Sequence, residues 1–266
     1  MLGRWLALAL CAAFAPPATA DLPICVREDA APFSERGDDG TFRGYSVDLC
    51  KLVAKQMGET VTFVPVTVET RFDVLLAGTC DMLCGATTVT MRRRETLGFS
   101  LITFVTDTAF LFPRTLLKGI APNRKSLSVG YLSNTTAHEY LMDDDLFTMR
   151  RIHVELQDMD SHEAAAAALA AGEIDSYIAD REILQNMLQD MPELAESHII
   201  GTRGLTYEPY AIAMAKDNLA LRERVDQALA QLFRDSVIWT LVEQYIPSRS
   251  NDALLASLLK IQSIPE

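Results

Sequence analysis

The chain has 266 residues, of which 49% are hydrophobic, and a formal net charge of −12 at pH 7. That apolar content supplies a sizeable core, and the length suits one large domain or two lobes of ordinary size. The acidic balance argues against a nucleic-acid binder, which calls for basic patches, and leaves a small ligand open.

The first 20 residues stand apart from the fold. Arg4 gives a positive start, "WLALALCAAFA" is a short apolar run, and "ATA" before Asp21 has the small residues of a signal-peptidase site. The run is shorter than the roughly 20 apolar residues that a spanning helix needs. The expectation is an exported, soluble protein whose mature form starts near Asp21, with an uncleaved N-terminal anchor as the alternative. Strand and helix signals then alternate. "LPICVRE" reads as a strand, and "GDDG" as a turn. "YSVDLCKLVAKQMG" has helical spacing at Val47, Leu49, Leu52, Val53 and Met57, with Gly58 as the stop. "VTFVPV" is a strand, "RFDVLLAG" a short helix, and "DMLCGA" and "DTAFLFP" are strands. A second series begins at "SLSVGYL" and includes an acidic turn at Asp143, Asp144 and Asp145. It continues through the Ala-rich helix "SHEAAAAALAAGE" and the strand "IDSYIA". "YAIAMA" is a further strand, residues 220–246 form one or two amphipathic helices, and the tail "NDALLASLLKIQ" carries one more apolar stripe.

This order predicts an α/β protein with mainly parallel sheets, whose ligands bind at the carboxyl ends of strands. The loop after "DMLCGA" lies at such an end and carries Thr87, Thr88, Thr90 and three consecutive arginines, Arg92, Arg93 and Arg94. Hydroxyls and a guanidinium there suit an anion site. Arg27 ends the first strand in the same way.

Cys11 leaves with the export segment, and Cys25, Cys50, Cys80 and Cys84 remain, an even number that suits an oxidising compartment. The one close spacing, C-x₃-C, has no histidine near it, which favours disulfides over the alternative of a zinc site. If Asp81 begins a strand, Cys80 and Cys84 stand about 13 Å apart at ~3.3 Å per residue, too far for a bridge. The expected pair is Cys25 on the first strand with Cys50 on the first helix.

Three stretches, "APFSERGDDGTFRGYSVDLCKLVAKQMG", "LLAGTCDMLCGATTVTMRRRETLGFS" and "AGEIDSYIADREIL", resemble the bacterial extracellular solute-binding proteins of family 3, and most closely the glutamate/aspartate-binding subgroup. The resemblance implies a two-lobed, type II periplasmic-binding-protein-like fold. Each lobe would be a mainly parallel sheet flanked by helices, with the ligand cleft between them. It implies lobe 1 at 21–106 and again at 210–246, lobe 2 at 107–209, and a tail helix at 247–266. Hinges are expected near Thr106–Asp107 and Tyr207–Tyr210.

By the same resemblance, Arg93, five residues after Thr88, grips a ligand α-carboxylate with help from Thr88. Thr135 or Thr136 holds it from the other lobe, and Asp180 takes the α-ammonium. Arg27, Arg71 and His162 match positions that reach a side-chain carboxylate. Ala86 stands where a serine is common, and Asn134 replaces a usual glycine. The blander readings are a surface ion pair from Arg93 to Glu95, lone surface arginines at 27 and 71, a helix N-cap at Asp180, and a capping or solvated His162. The implied activity is capture of an acidic amino acid for the membrane permease of an ABC transporter, by a monomer without cofactor or metal. A ligand-binding sensor or accessory subunit is the alternative. A periplasmic dehydratase-like enzyme is a further one, although no G-x-S-x-G, H-E-x-x-H or phosphate-loop pattern occurs.

Overall fold

The computed structural model describes residues 21–119, 125–142 and 153–265. The expected export segment and the acidic turn at Asp143, Asp144 and Asp145 lie outside the described residues. The described residues start on β1 (Asp21–Arg27) and form a small antiparallel sheet from β2 (Asp29–Ala30), β3 (Ser34–Arg36) and β4 (Phe42–Arg43). It enters α1 (Tyr45–Met57) through Gly44, at φ 126°, where a Cβ would stand 2.5 Å from the Phe33 carbonyl oxygen. Gly58 ends that helix in the left-handed conformation, as its sequence position predicts. β5 (Thr60–Val66), α2 (Arg71–Leu76), β6 (Met82–Cys84) and β7 (Leu97–Thr106) follow.

The second series comprises β8 (Thr108–Pro113), β9 (Ser126–Tyr131), α3 (Thr136–Leu141), β10 (His153–Asp158) and α4 (His162–Ala171). It closes with β11 (Ser176–Asp180), α5 (Arg181–Asp190), α6 (Pro192–Ser197) and β12 (His198–Ile200). The chain then returns as β13 (Glu208–Ala215), α7 (Leu219–Arg234), α8 (Val237–Tyr245) and α9 (Ala253–Gln262).

Two five-stranded sheets result, ordered β5-β1-β6-β13-β7 and β10-β9-β11-β8-β12. The sheets are mixed rather than mainly parallel. β1 pairs in parallel with β5 and β6, while β13 runs antiparallel to β6 and β7. In the second sheet β9 pairs in parallel with β10 and β11, while β8 runs antiparallel to β11 and β12. The antiparallel members are the strands at the two crossings, β7 to β8 and β12 to β13. The tail helix α9 packs on the first sheet, where Gln262 bonds both the N–H and the carbonyl of Ile102 at 2.8 and 2.9 Å.

Alternation along the strands decides the cysteine pairing. Leu22, Ile24 and Val26 of β1 face the core shared with Val47, Leu49, Cys50 and Val53 of α1. Cys25 points the other way, into a second core with Leu75, Cys80 and Leu83. It therefore cannot meet Cys50, and the expected Cys25–Cys50 pair is corrected. Cys25 bonds Cys80, and Cys50 bonds Cys84, which shares its face with Met82.

Candidate functional site

A single cavity, with ≈ 400 Å³ of non-atom space including its mouth, is lined by Arg27, Arg71, Ala86, Thr88, Arg93, Thr135, Thr136, His162 and Asp180. These are the nine ligand-binding positions expected from sequence, and each lies at or just after the carboxyl end of a strand. Arg27 ends β1, Arg71 opens the helix after β5, and Ala86, Thr88 and Arg93 follow β6. Thr135 and Thr136 follow β9, His162 follows β10, and Asp180 ends β11. The loop after β6 is held against β13 by bonds from Val89 N to Pro209 O at 2.8 Å and from Ala211 N to Thr87 O at 3.2 Å.

The three cavity arginines differ in their partners. Arg27 is 3% exposed and holds Asp29, with Nε 3.0 Å and Nη2 2.9 Å from the same carboxylate oxygen. Arg71, 2% exposed, donates only to carbonyls, those of Val68 and, at 2.6 Å, Asn134 from the second half. Its Nε is buried without a hydrogen-bond partner. Arg93 donates to the Thr88 carbonyl at 2.9 Å. Both guanidiniums stand over the Phe72 ring, 4.4 Å from its centroid for Arg71 and 5.2 Å for Arg93. Burial, then the like charges of Arg27 and Arg93, lower the proton affinity of Arg71 well below the usual guanidinium value. Burial also lowers that of Arg93. Since a guanidinium does not give up its proton in practice, these shifts measure an electrostatic cost that a bound anion would offset.

The neighbouring arginines behave otherwise. The Arg92 side chain is 80% exposed and lies 3.5 Å from Glu139 across the cleft, and Arg94 is exposed. The ion pair suggested for Arg93 and Glu95 is replaced by the inward turn of Arg93 to Thr88.

On the second half, Asp180 occupies the N-cap position of α5 but makes no capping bond. Its carboxylate instead accepts a hydrogen bond from the Tyr210 hydroxyl, beside the edge-packed rings of Phe33 and Phe104. Burial, then the nearby Glu208 carboxylate, raise its pKa well above the usual carboxylate range. His162 is buried, with Nδ1 2.8 Å from the Tyr177 hydroxyl and Nε2 without a partner. Burial, then Arg27, hold its pKa down to about 3, so the ring is neutral. Capping of α4 falls to Ser161, whose hydroxyl accepts from Ala164 N at 3.0 Å. Asn134 takes φ 59°, the left-handed conformation that a glycine adopts freely and asparagine tolerates best among the rest.

The three hydroxyls expected to face a carboxylate are engaged elsewhere. Thr135 caps α3, accepting from His138 N at 3.2 Å and donating to Leu132 O at 2.7 Å. Thr136 and Thr88 donate to Glu208, at 2.8 and 2.5 Å. The sequence reading did not single out Glu208, Asp29, Phe72 or Tyr177, and placed Tyr210 only at a hinge. No histidine, cysteine or acidic cluster fit for a metal occurs among the described residues. No described helix is long and apolar enough to cross a membrane.

The model of the bacterial extracellular solute-binding proteins, family 3, matches residues 22–248. The chain belongs to that family. It is 24% identical over 221 residues to the ABC transporter arginine-binding protein 1 of Escherichia coli K12, covering 81% of this chain and 86% of the relative. It is 25% identical over 214 residues to the glutamate/aspartate import solute-binding protein of the same strain, covering 77% and 70%. Among solved structures, an ancestral arginine-binding protein bound to glutamine superposes with a TM-score of 0.74 at 22% identity, covering 85% of this chain and 97% of that one. Relatives named for arginine and for glutamate/aspartate thus match at nearly equal identity, so similarity fixes the family and the fold and leaves the ligand to the cavity.

Proposed function

We propose that the protein, exported to the periplasm through residues 1–20, captures an acidic L-amino acid in this cavity and delivers it to the permease of an ABC transporter. The observation that carries the reading is the state of Arg71 and Arg93. Both are held by carbonyls and an aromatic ring, and no described carboxylate forms an ion pair with either. Buried and half-buried cations without an ion-pair partner are costly, and a ligand with two carboxylates supplies one for each. Arg93 takes the α-carboxylate, and Arg71 and Arg27 the side-chain carboxylate. His162 can donate from Nε2 when its Nδ1 accepts from Tyr177. Asp180 takes the ammonium. An arginine or lysine side chain would meet like charge in a poorly solvated space.

The reading is of a monomeric binding protein rather than an enzyme. Its lobes are 21–106 with 210–246, and 107–209, followed by the tail. They close about the connections between β7 and β8 and between β12 and β13. The cavity draws residues from both, so a ligand that touches both favours the closed form. Calorimetry with L-glutamate, L-aspartate, L-glutamine, L-arginine and L-histidine tests the assignment. The acidic pair should bind tightest, by several kcal/mol over arginine, because reversing the side-chain charge sets like charges together. Glutamine or arginine binding as tightly as glutamate would refute it.

A further inference from the structure

Glu208 opens β13, where the chain returns from the second sheet to the first, and is 1% exposed. Its partners are three hydroxyls. Oε1 accepts from Thr206 at 2.5 Å, and Oε2 accepts from Thr88 at 2.5 Å and Thr136 at 2.8 Å. An ionised carboxylate only accepts, and a threonine hydroxyl has one hydrogen to give. Thr88 and Thr136 have therefore committed their hydrogens to Glu208, and what they keep is lone pairs. Both line the cavity, one from the loop after β6 and one from the start of α3. A ligand group that meets them must donate. Asp180, on the same lining, is also an acceptor when ionised, whereas Arg27, Arg71 and Arg93 are donors only.

We infer that Glu208 is a positioning residue that fixes Thr88 and Thr136 as hydrogen-bond acceptors, one from each side of the cleft, so that with Asp180 they receive the ligand's ammonium. This rests on the amino-acid reading above and deepens it. It also reverses the part that the family resemblance gave to Thr88, and to Thr136 as the alternative to Thr135, in holding a carboxylate. Glu208 sits behind the two hydroxyls and, after burial, is the largest contributor to the raised pKa of Asp180, so a cation placed among these groups relieves both acids.

Glu208→Leu keeps roughly the bulk of the side chain and removes both acceptor oxygens, so the hydrogens of Thr88 and Thr136 are free to turn into the cavity. L-Glutamate and glutarate, which has the same two carboxylates and no amine, separate the effects. In calorimetry, with weak binding read by displacement, L-glutamate affinity should fall about 10-fold or more while glutarate affinity changes less than about 3-fold. Thr136→Val should also weaken L-glutamate selectively, and should cost less in the Glu208→Leu background than alone, because the two act on one hydroxyl. Circular dichroism and thermal unfolding report whether each variant folds. If Glu208→Leu does not, Thr88→Val and Thr136→Val carry the same two-ligand comparison. Equal losses for both ligands, or additive effects of the two substitutions, overturn the positioning role and leave the amino-acid reading standing. A wild-type protein that binds neither compound overturns both.

Discussion

The two halves of the cavity are built from different chemistry. The first-sheet half supplies Arg27, Arg71 and Arg93, whose charges are fixed at any physiological pH. Two disulfides tie the strand and helix framework behind them, Cys25–Cys80 joining β1 to the segment before β6 and Cys50–Cys84 joining α1 to β6. The second-sheet half supplies Asp180 and His162, which titrate, and its described residues contain no cysteine. Its part of the lining is held by hydrogen bonds, to Tyr210, Tyr177 and Glu208. One half is thus a rigid, permanently cationic wall, and the other is a polar wall whose charge depends on pH and on its neighbours. Such a division suits a ligand that carries anions on one side and a cation on the other.

Removing the staples gives the largest expected effect. The bridges span 55 and 34 residues of sequence. Chain-entropy arguments assign each about 4 kcal/mol as an upper figure. Cys50→Ser with Cys84→Ser should lower the unfolding free energy by about 2–4 kcal/mol in urea titration, since part of the ideal gain is offset in real proteins. Amide exchange should quicken mainly in β1, α1 and β6 and least in β9–β11. Equal loosening of both sheets would mean that the first half owes its rigidity to packing and not to the bridges.

Next comes the cationic wall. Arg93→Ala should cost about 3 kcal/mol or more of binding, because a buried ligand carboxylate then lacks its partner. Lysine at this position should recover little of it, since it cannot give the Thr88 carbonyl, the Phe72 face and a carboxylate their donors in one planar fork. Calorimetry showing a loss below about 1 kcal/mol for Arg93→Ala would move the α-carboxylate away from Arg93. Asp180→Ala is the opposite test, on the polar wall. It should weaken L-glutamate strongly and glutarate far less, whereas Arg93→Ala weakens both. Identical profiles for the two variants would erase the distinction between the walls.

How much of this was readable from the chain differs between features for physical reasons. The helix α1, with its apolar spacing and Gly58 stop, follows from local pattern. The convergence of the nine lining residues rests on strand-end placement and on family spacing, because no local signal connects Arg27 to Asp180. The cysteine pairing was readable and was misread. Residues 24, 25 and 26 alternate across the sheet, and that alternation places Cys25 away from α1. The ten-residue β7 was not singled out, because it is buried along nearly its whole length and shows no alternation for a periodicity argument to use. Glu208 was invisible for another reason. It stands beside Pro209 like a loop acid, and its partners Thr88 and Thr136 lie 120 and 72 residues away. A buried carboxylate that takes hydroxyls in place of a cation leaves no charge pattern in sequence.

The smallest expected effect is on stability as a function of pH, and it acts on the polar wall alone. Burial and Glu208 push the pKa of Asp180 up to about 7. A carboxyl raised in this way contributes its stability in full below its unfolded value, near pH 4, and loses it as pH rises toward the folded value. His162 has the opposite sign. Held down to about 3, it contributes above its unfolded value near 6.5 and loses that contribution as pH falls. In ligand-free protein the two slopes therefore oppose and largely offset each other between about pH 4 and pH 6.5, and only single variants expose them. Asp180→Asn removes the first slope only. Its melting temperature relative to wild type should rise from pH 4 to pH 7 and level off above, while His162→Gln should gain relative to wild type as pH falls below about 6. Arg27, Arg71 and Arg93 do not titrate in this range and cannot produce either slope. A melting difference for Asp180→Asn that stays flat across the window would show that the carboxyl is ionised throughout. The acceptor wall would then carry its full negative charge even without a ligand.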